Sequence, residues 1–405
     1  MKKAKKLIAI FFVLIFLTSF LSIVYADDQI ETYSPSCLLM ELNTGKILYE
    51  KNINEKMYPA STTKLMTAIL AVENCKLDDI ATVSKNAISI IPDGYSTAYL
   101  KEGEQISIEN LLNVMLIPSA NDAANVVAEH ISGSIEEFAK LMNKKAKELG
   151  CKNTNFTNPS GIHDDNHYST AADMAIIGRY AAQNEIIANI CSKAYCSLPS
   201  SNAYSGSERF FYTTNALLLD GYYYYEYTTG MKTGYTGEAK DCIVATANKD
   251  GVSYLVVILG GGELSDGSSQ RYLDCKKLFE YGFRNYSLKT IAKKDSVNKQ
   301  VKIWGATDET KNLDVLVKDD IKIFLKNDVD ISQIKSRVSL DINLPPISKG
   351  DVIGKIIYYY DSVTYTSDLI AGSDVVPKDD FNSNFKIFIV IFLVIVLWIC
   401  LKGKK

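Results

Sequence analysis

Histidine is scarce in this chain: 405 residues hold three, His130, His163 and His167. A chymotrypsin-like His–Asp triad or a multi-histidine metal centre therefore has little to draw on. His163, Asp164, Asp165 and His167 do cluster in "IHDDNH", but no further ligand set accompanies them, and a structural loop is the simpler reading. The eight cysteines include no Cys-x-x-Cys, which removes a zinc ribbon. Cys400 lies in an apolar tail and the other seven are an odd number. Cys191 and Cys196 are close enough in sequence to pair, yet buried thiols acting as small hydrophobes are favoured over a disulfide framework. Excess positive charge is lacking as well. The formal charge is −3 even with Lys2, Lys3, Lys5, Lys6, Lys386, Lys402, Lys404 and Lys405 at the two ends, so the stretch between is more acidic still. Such a surface argues against nucleic acid and other polyanions as partners. There is no internal repeat and no long low-complexity segment.

The ends read as targeting segments. A basic start, an apolar run over 7–21 and the small-residue site at 24–26 predict a signal peptide over 1–26. Residues 387–401 are apolar and uncharged, short of the roughly 20 that a bilayer requires. Phe385 and a snorkelling Lys386 extend the run, so a membrane anchor helix is expected over 386–402, with the basic tail on the cytoplasmic side. Everything between is expected on the extracytoplasmic side of the cell membrane.

Inside those ends, 36–49 reads as strand, Asn-Thr-Gly turn and strand, and 241–259 as a second hairpin around "NKDG". Helical patterns fill 65–72, 108–117, 123–131, 135–149 and 171–180, and another covers 272–281. Ser134 with Glu137, and Thr170 with Asp173, look like capping boxes, and Asp122 like a helix cap. This layout predicts an α+β domain over 27–286: an antiparallel sheet from distant hairpins beside a helical lobe, with a ligand cleft between them. Short alternating runs predict a small all-β domain over 287–371, followed by a polar linker over 372–385.

Three stretches bear chemistry. In "YPASTTKLMTAILAVE", Ser61 and Lys64 share the first turn of a helix with no polar face, where a desolvated amine beside a hydroxyl makes a base beside a nucleophile. Ser296/Lys299 and Ser332/Lys335 repeat the spacing in the polar β region, where a solvated lysine needs no explanation. In "MLIPSANDAANVV", Pro118 ends one helix, which leaves Ser119 and Asn121 in a tight connection. "TTGMKTGYTGEAKDC" contains Lys232-Thr233-Gly234, a cation and a hydroxyl suited to a carboxylate, with a glycine permitting close approach.

Together, Ser61-x-x-Lys64, Ser119-x-Asn121 and Lys232-Thr233-Gly234 match the serine–lysine acyl-transfer signature. The chain resembles the low-molecular-weight penicillin-binding proteins, serine-type D-alanyl-D-alanine carboxypeptidases. The likeness continues through "NPSGIHDDNHYSTAADMA", "RYLDCKKLFEYGF", the β domain and the tail. It differs in the tyrosine-rich "DGYYYYEYTTGM", which lacks the acidic–glycine pair common just before the lysine motif, and in a uniformly apolar rather than amphipathic tail. The resemblance implies the penicillin-binding/serine β-lactamase-like transpeptidase fold, with no metal and no cofactor. It implies Ser61 as nucleophile, Lys64 as general base, Ser119 as proton relay, and Asn121 and Lys232 as their supports. Thr233, Gly234 and Arg271 would bind substrate, and the backbone amide of Tyr235 would join that of Ser61 in an oxyanion hole. The implied partners are peptidoglycan stem peptides, with β-lactams as covalent inhibitors. The rivals are a class A β-lactamase, disfavoured because no glutamate occurs between Cys151 and Asp173, and a catalytically silent wall-binding scaffold.

Overall fold

The computed structural model describes residues 30–361 and 363–378, with Ile391, Val394 and Ile395 beyond them. The expected signal segment and, but for those three residues, the expected anchor lie outside the described residues. Among the described residues no helix is long and apolar enough to cross a membrane.

The N-terminal hairpin is β1 (Ser36–Glu41) and β2 (Ile47–Lys51). A lobe follows, built from α1 (Lys64–Asn74), β3 (Ile80–Thr82), α2 (Lys85–Ser89), β4 (Gln105–Ser107) and α3 (Ile108–Leu116). It continues with α4 (Asn121–Ser132), α5 (Ile135–Leu149), α6 (Ala171–Ala182) and α7 (Glu185–Cys191). A two-stranded ribbon, β5 (Tyr195–Leu198) and β6 (Arg209–Tyr212), leads to β7 (Thr228–Thr236), β8 (Lys240–Lys249), β9 (Val252–Gly261) and α8 (Gln270–Asn285).

The two distant hairpins join in one antiparallel sheet of order β2-β1-β9-β8-β7. Alternate side chains go to opposite faces. Leu38, Met40, Val244, Leu255 and Val257 pack into the helical lobe, whereas Cys37, Leu39, Ile243, Val256 and Ile258 pack with Leu278 and Phe279 of α8. Both faces are covered, so the strands read as nearly unbroken apolar runs.

Ser134 accepts from the Glu137 N–H at 3.2 Å, and the helix it caps stops at Gly150, which has φ 93°. Two expected caps are corrected. α4 begins at Asn121, one residue before Asp122, and the Asp122 carboxylate accepts from the N–H groups of Ala98 and Leu100, tethering that segment. Thr170 does cap α6, but the Asp173 carboxylate turns away to Lys152 N, Asn153 N and the Thr154 hydroxyl. Asp122 Oδ1 also accepts from the Ala123 N–H of its own helix at 2.9 Å, but in both cases most of the carboxylate's partners are distant in the chain. Cys37, Cys75, Cys151, Cys191, Cys196, Cys242 and Cys275 are free thiols.

The C-terminal domain is entirely β apart from one short turn, with β10 (Tyr286–Ala292), β11 (Val297–Lys302), β12 (Asn312–Val317), β13 (Ile321–Lys326), β14 (Lys335–Leu340), β15 (Val352–Tyr360) and β16 (Val363–Ala371). β10 pairs with β13, and the rest form a sheet of order β11-β12-β16-β15-β14. Leu313, Val315, Ile323, Leu325 and Leu369 centre its core. The chain beyond β16 still pairs with this domain, Val375 with Ile347 and Pro377 with Ala306. Phe324 stacks on Tyr286 and joins the aromatic cluster beneath the main sheet.

Candidate active site

Ser61 lies in a 3₁₀ turn, Ala60–Thr63, that feeds directly into α1. Leu65, Met66, Ile69 and Leu70 bury the helix, so the lysine at its first position is carried into the interior and is fully buried. Its Nζ lies 2.8 Å from Ser61 Oγ, 2.7 Å from Asn121 Oδ1 and 2.7 Å from the Ser160 carbonyl oxygen. Two of these are carbonyl oxygens that can only accept. A neutral amine donates its two N–H groups to them and turns its lone pair to the Ser61 hydroxyl. The electrostatics favour that neutral form. Burial holds Lys64 well below the ordinary lysine range and the charge of Lys232 adds to this, with Asp122 opposing.

Asn121 is fixed from the other side, its Nδ2 donating to the Ser96 carbonyl at 2.9 Å. Ser119 is buried in the α3–α4 connection with φ 71°, a left-handed backbone that turns the chain sharply at this point. The third motif lies on β7. Lys232 is buried, its Nζ donates to the Thr233 carbonyl at 3.0 Å, and its pKa is pushed down to about 7. Burial is the main cause; Cys191 opposes it and Arg271 adds to it. Thr233 shares a hydroxyl hydrogen bond with Thr214.

At Gly234 a Cβ would sit 2.8 Å from Ser61 N and 2.9 Å from the Ala60 Cβ, so the glycine lets β7 touch the chain's own nucleophile turn, while the residue also lines the cleft. Arg271, near the start of α8, donates from Nη1 to the Gly234 carbonyl at 3.0 Å and meets Asp241 Oδ1 at 3.1 Å. Ser269 Oγ donates to the other Asp241 oxygen at 2.6 Å. The Arg271 Nε is buried without a partner. Ser61, Ser119, Asn121, Thr233, Gly234, Tyr235 and Arg271 all line one open cleft of about 440 Å³, together with Ser96 and Thr214. Lys64 and Lys232 lie behind that lining.

Sequence reasoning missed what holds the nucleophile turn in place. "NPSG" was visible but had no assigned role. Asn158 Oδ1 accepts from Gly161 N at 2.7 Å, closing a turn that aims the Ser160 carbonyl at Lys64. At Gly161, φ is +81° and a Cβ would fall 1.9 Å from the Ala60 carbonyl oxygen, so only glycine fits. His167 completes this support. Its Nδ1 accepts from the Thr157 N–H at 3.1 Å, so Nε2 carries the proton and donates to Thr63 Oγ1 at 2.8 Å. The two histidines of "IHDDNH" therefore diverge, since His163 packs edge-on against Tyr58.

The family model for D-alanyl-D-alanine carboxypeptidase matches residues 23–263, and that for the penicillin-binding protein 5 C-terminal domain matches 286–377. The chain is 34% identical to the D-alanyl-D-alanine carboxypeptidase DacF of Bacillus subtilis over 85% of each chain. It is 33% identical to DacA of Haemophilus influenzae, over 85% of this chain and 88% of that one. Among solved structures, penicillin binding protein 5 from H. influenzae superposes with a TM-score of 0.61 at 29% identity, covering 86% of this chain and 99% of that one. A Streptococcus pneumoniae PBP3 structure, at 22% identity and TM-score 0.71, covering 85% of this chain and 100% of that one, shares the fold. The chain belongs to the D-alanyl-D-alanine carboxypeptidase family, serine-type carboxypeptidases among the penicillin-binding proteins.

Proposed function

We propose that this protein is a membrane-anchored serine D,D-carboxypeptidase of the cell wall. It removes the terminal D-alanine from peptidoglycan stem pentapeptides through a Ser61 acyl-enzyme. The observation that carries the proposal is the fully buried Lys64 amine, 2.8 Å from the Ser61 hydroxyl and short of any carboxylate partner at its Nζ.

Ser61 Oγ attacks the carbonyl carbon of the D-Ala–D-Ala bond while its proton passes to neutral Lys64. The backbone N–H groups of Ser61 and Tyr235 stabilise the oxyanion. As the C–N bond breaks, the departing amine takes a proton by way of Ser119, and D-alanine leaves an ester on Ser61. Water then adds to that ester, releasing the shortened peptide and returning the proton to Ser61. Asn121 keeps Lys64 aimed. Lys232, Thr233 and Arg271 hold the free carboxylate that makes the substrate a C-terminal D-alanine; the unpartnered Arg271 Nε–H is a donor in reserve. No cofactor or metal is invoked. A β-lactam imitates the same terminus and acylates Ser61. The apolar 386–402 segment tethers the chain to the membrane, with both folded domains on the extracytoplasmic side.

Labelling with a fluorescent penicillin, run beside D-alanine release from a pentapeptide, tests this. Wild type should be labelled stably and release D-alanine, and Ser61→Ala should do neither. Labelling without D-alanine release sinks the carboxypeptidase reading. Label lost almost at once indicates a β-lactamase, and no labelling indicates a silent scaffold.

A further inference from the structure

The β5–β6 ribbon carries an aromatic face that the cleft chemistry does not use. Tyr195 pairs directly with Tyr212, and Ser197 with Phe210. By the two-residue alternation of strands these four side chains share one face. The opposite face, with Cys196, Leu198 and Phe211, is packed into the core of the helical lobe. On the outward face Tyr195 and Phe210 are each 65% exposed and Tyr212 is 71% exposed. Three aromatic side chains on one face of a two-stranded ribbon are left largely in water, and contiguous exposed apolar surface of this kind marks a binding site.

One end of the ribbon runs into the cleft lining, and the other is fastened to the segment that follows it in the chain. After Tyr212 the ladder continues through Thr213, whose N–H donates to the Ala194 carbonyl at 2.8 Å, and the next residue, Thr214, already lines the cleft. At the start of β6, Arg209 donates to the Ala98 carbonyl at 3.1 Å and pairs with the buried Glu104. Tyr204 donates to the Tyr99 carbonyl. These contacts fix the ribbon to the segment that continues from the cleft-lining Asp93, Gly94, Tyr95 and Ser96. The aromatic row therefore begins where the cleft ends.

We infer that this row is a platform for the glycan strand of peptidoglycan, to which the stem peptide in the cleft is attached. The inference rests on the carboxypeptidase reading for the identity of the polymer. N-acetylhexosamine rings present flat C–H faces that stack on aromatic rings, while their edges carry hydroxyl and acetamido groups. Tyr195, Tyr212 and Ser197 supply hydroxyls at the margin of such a stack. The four side chains carry no charge, which suits a neutral sugar backbone and not an anionic lipid surface, where lysine and arginine would be expected. The sugar attachment of a stem peptide lies at the end remote from the scissile bond, and the ribbon adjoins the cleft through Thr213 and the cleft-lining Thr214.

The test uses the full chain and the triple substitution Tyr195→Ser, Phe210→Ser and Tyr212→Ser, with Tyr212→Ser alone as a milder partner. D-Alanine release is measured on a free pentapeptide and on polymeric glycan strands bearing pentapeptides. Co-sedimentation is measured with glycan strands stripped of peptide and with phosphatidylglycerol vesicles. The platform predicts unchanged kinetics on free peptide, about a tenfold rise in KM on the polymer, and loss of strand co-sedimentation. Equal losses on both substrates, no loss on either, or loss of vesicle binding with strand binding intact would each overturn it. Wild type that binds stripped strands but releases no D-alanine defeats the carboxypeptidase reading and leaves the platform standing.

Discussion

The same Ser-x-x-Lys spacing occurs in the cleft and, twice, in the β domain, and the environments could hardly differ more. Lys64 is fully buried among carbonyl oxygens and its own serine. Lys335 and Lys299 are exposed, and the hydroxyls of their partners are spent on local turns, Ser332 to Asp330 and Ser296 to the Lys293 carbonyl. Spacing alone puts a lysine near a serine. Reactivity requires that the amine be kept neutral, and only burial with suitable acceptors does that.

The sharpest way to break the contrast is Lys64→Ala. Acylation by fluorescent penicillin should slow by at least about 10³-fold, the scale of a lost general base next to its nucleophile. The melting temperature should hold, because burying an amine that must stay neutral is itself costly. Near-normal acylation by this variant would remove Lys64 as the base.

A smaller effect concerns the support beneath the turn. Burial lowers the His167 pKa from 6.5 to about 4, so His167 stays neutral in the fold but takes up a proton in the unfolded chain. Between those two values the unfolded state binds more protons, so stability rises with pH across the window and is lost as pH falls from 6.5 towards 4. The shift corresponds to about 3 kcal/mol at most. His167→Gln should flatten this part of the stability–pH curve in denaturant titrations, at some cost at neutral pH from the altered Thr63 contact. An unchanged acid limb would show that other groups set it.

At the bottom of the scale, Lys335→Ala and Lys299→Ala should leave acylation untouched and stability within about 0.5 kcal/mol of wild type, as for other solvated side chains. A clear loss of acylation in either would make the exposed pairs part of the reaction.

Much of the fold was legible because it follows from local pattern. Helices with a continuous apolar face and caps such as Ser134 and Thr170 fell near their expected places, as did the two hairpins that build the main sheet. Asp122 and Asp173 were only partly legible: Asp122 keeps a local partner in the Ala123 N–H, yet in the fold each carboxylate also serves N–H groups about twenty residues away. At the site, the three motifs named the residues that line or underlie the cleft. They did not reveal that Gly234 and Gly161 exist to let backbones touch, nor that the Ser160 carbonyl and the His167 ring complete the setting of Lys64.

By itself the sequence determined the chemical inventory: two serines, two lysines and an asparagine in motifs, carried on segments whose apolar periodicity obliges them to be buried. Tertiary structure alone decided the setting of the pair in the cleft, where Lys64 is fully buried while Lys299 and Lys335 are exposed. Desolvation of an amine, and the carbonyl oxygens that orient it, come from segments distant in the chain, Asn121 of α4 and Ser160 of the turn closed by Asn158. Their convergence is a property of packing, and no local pattern encodes it.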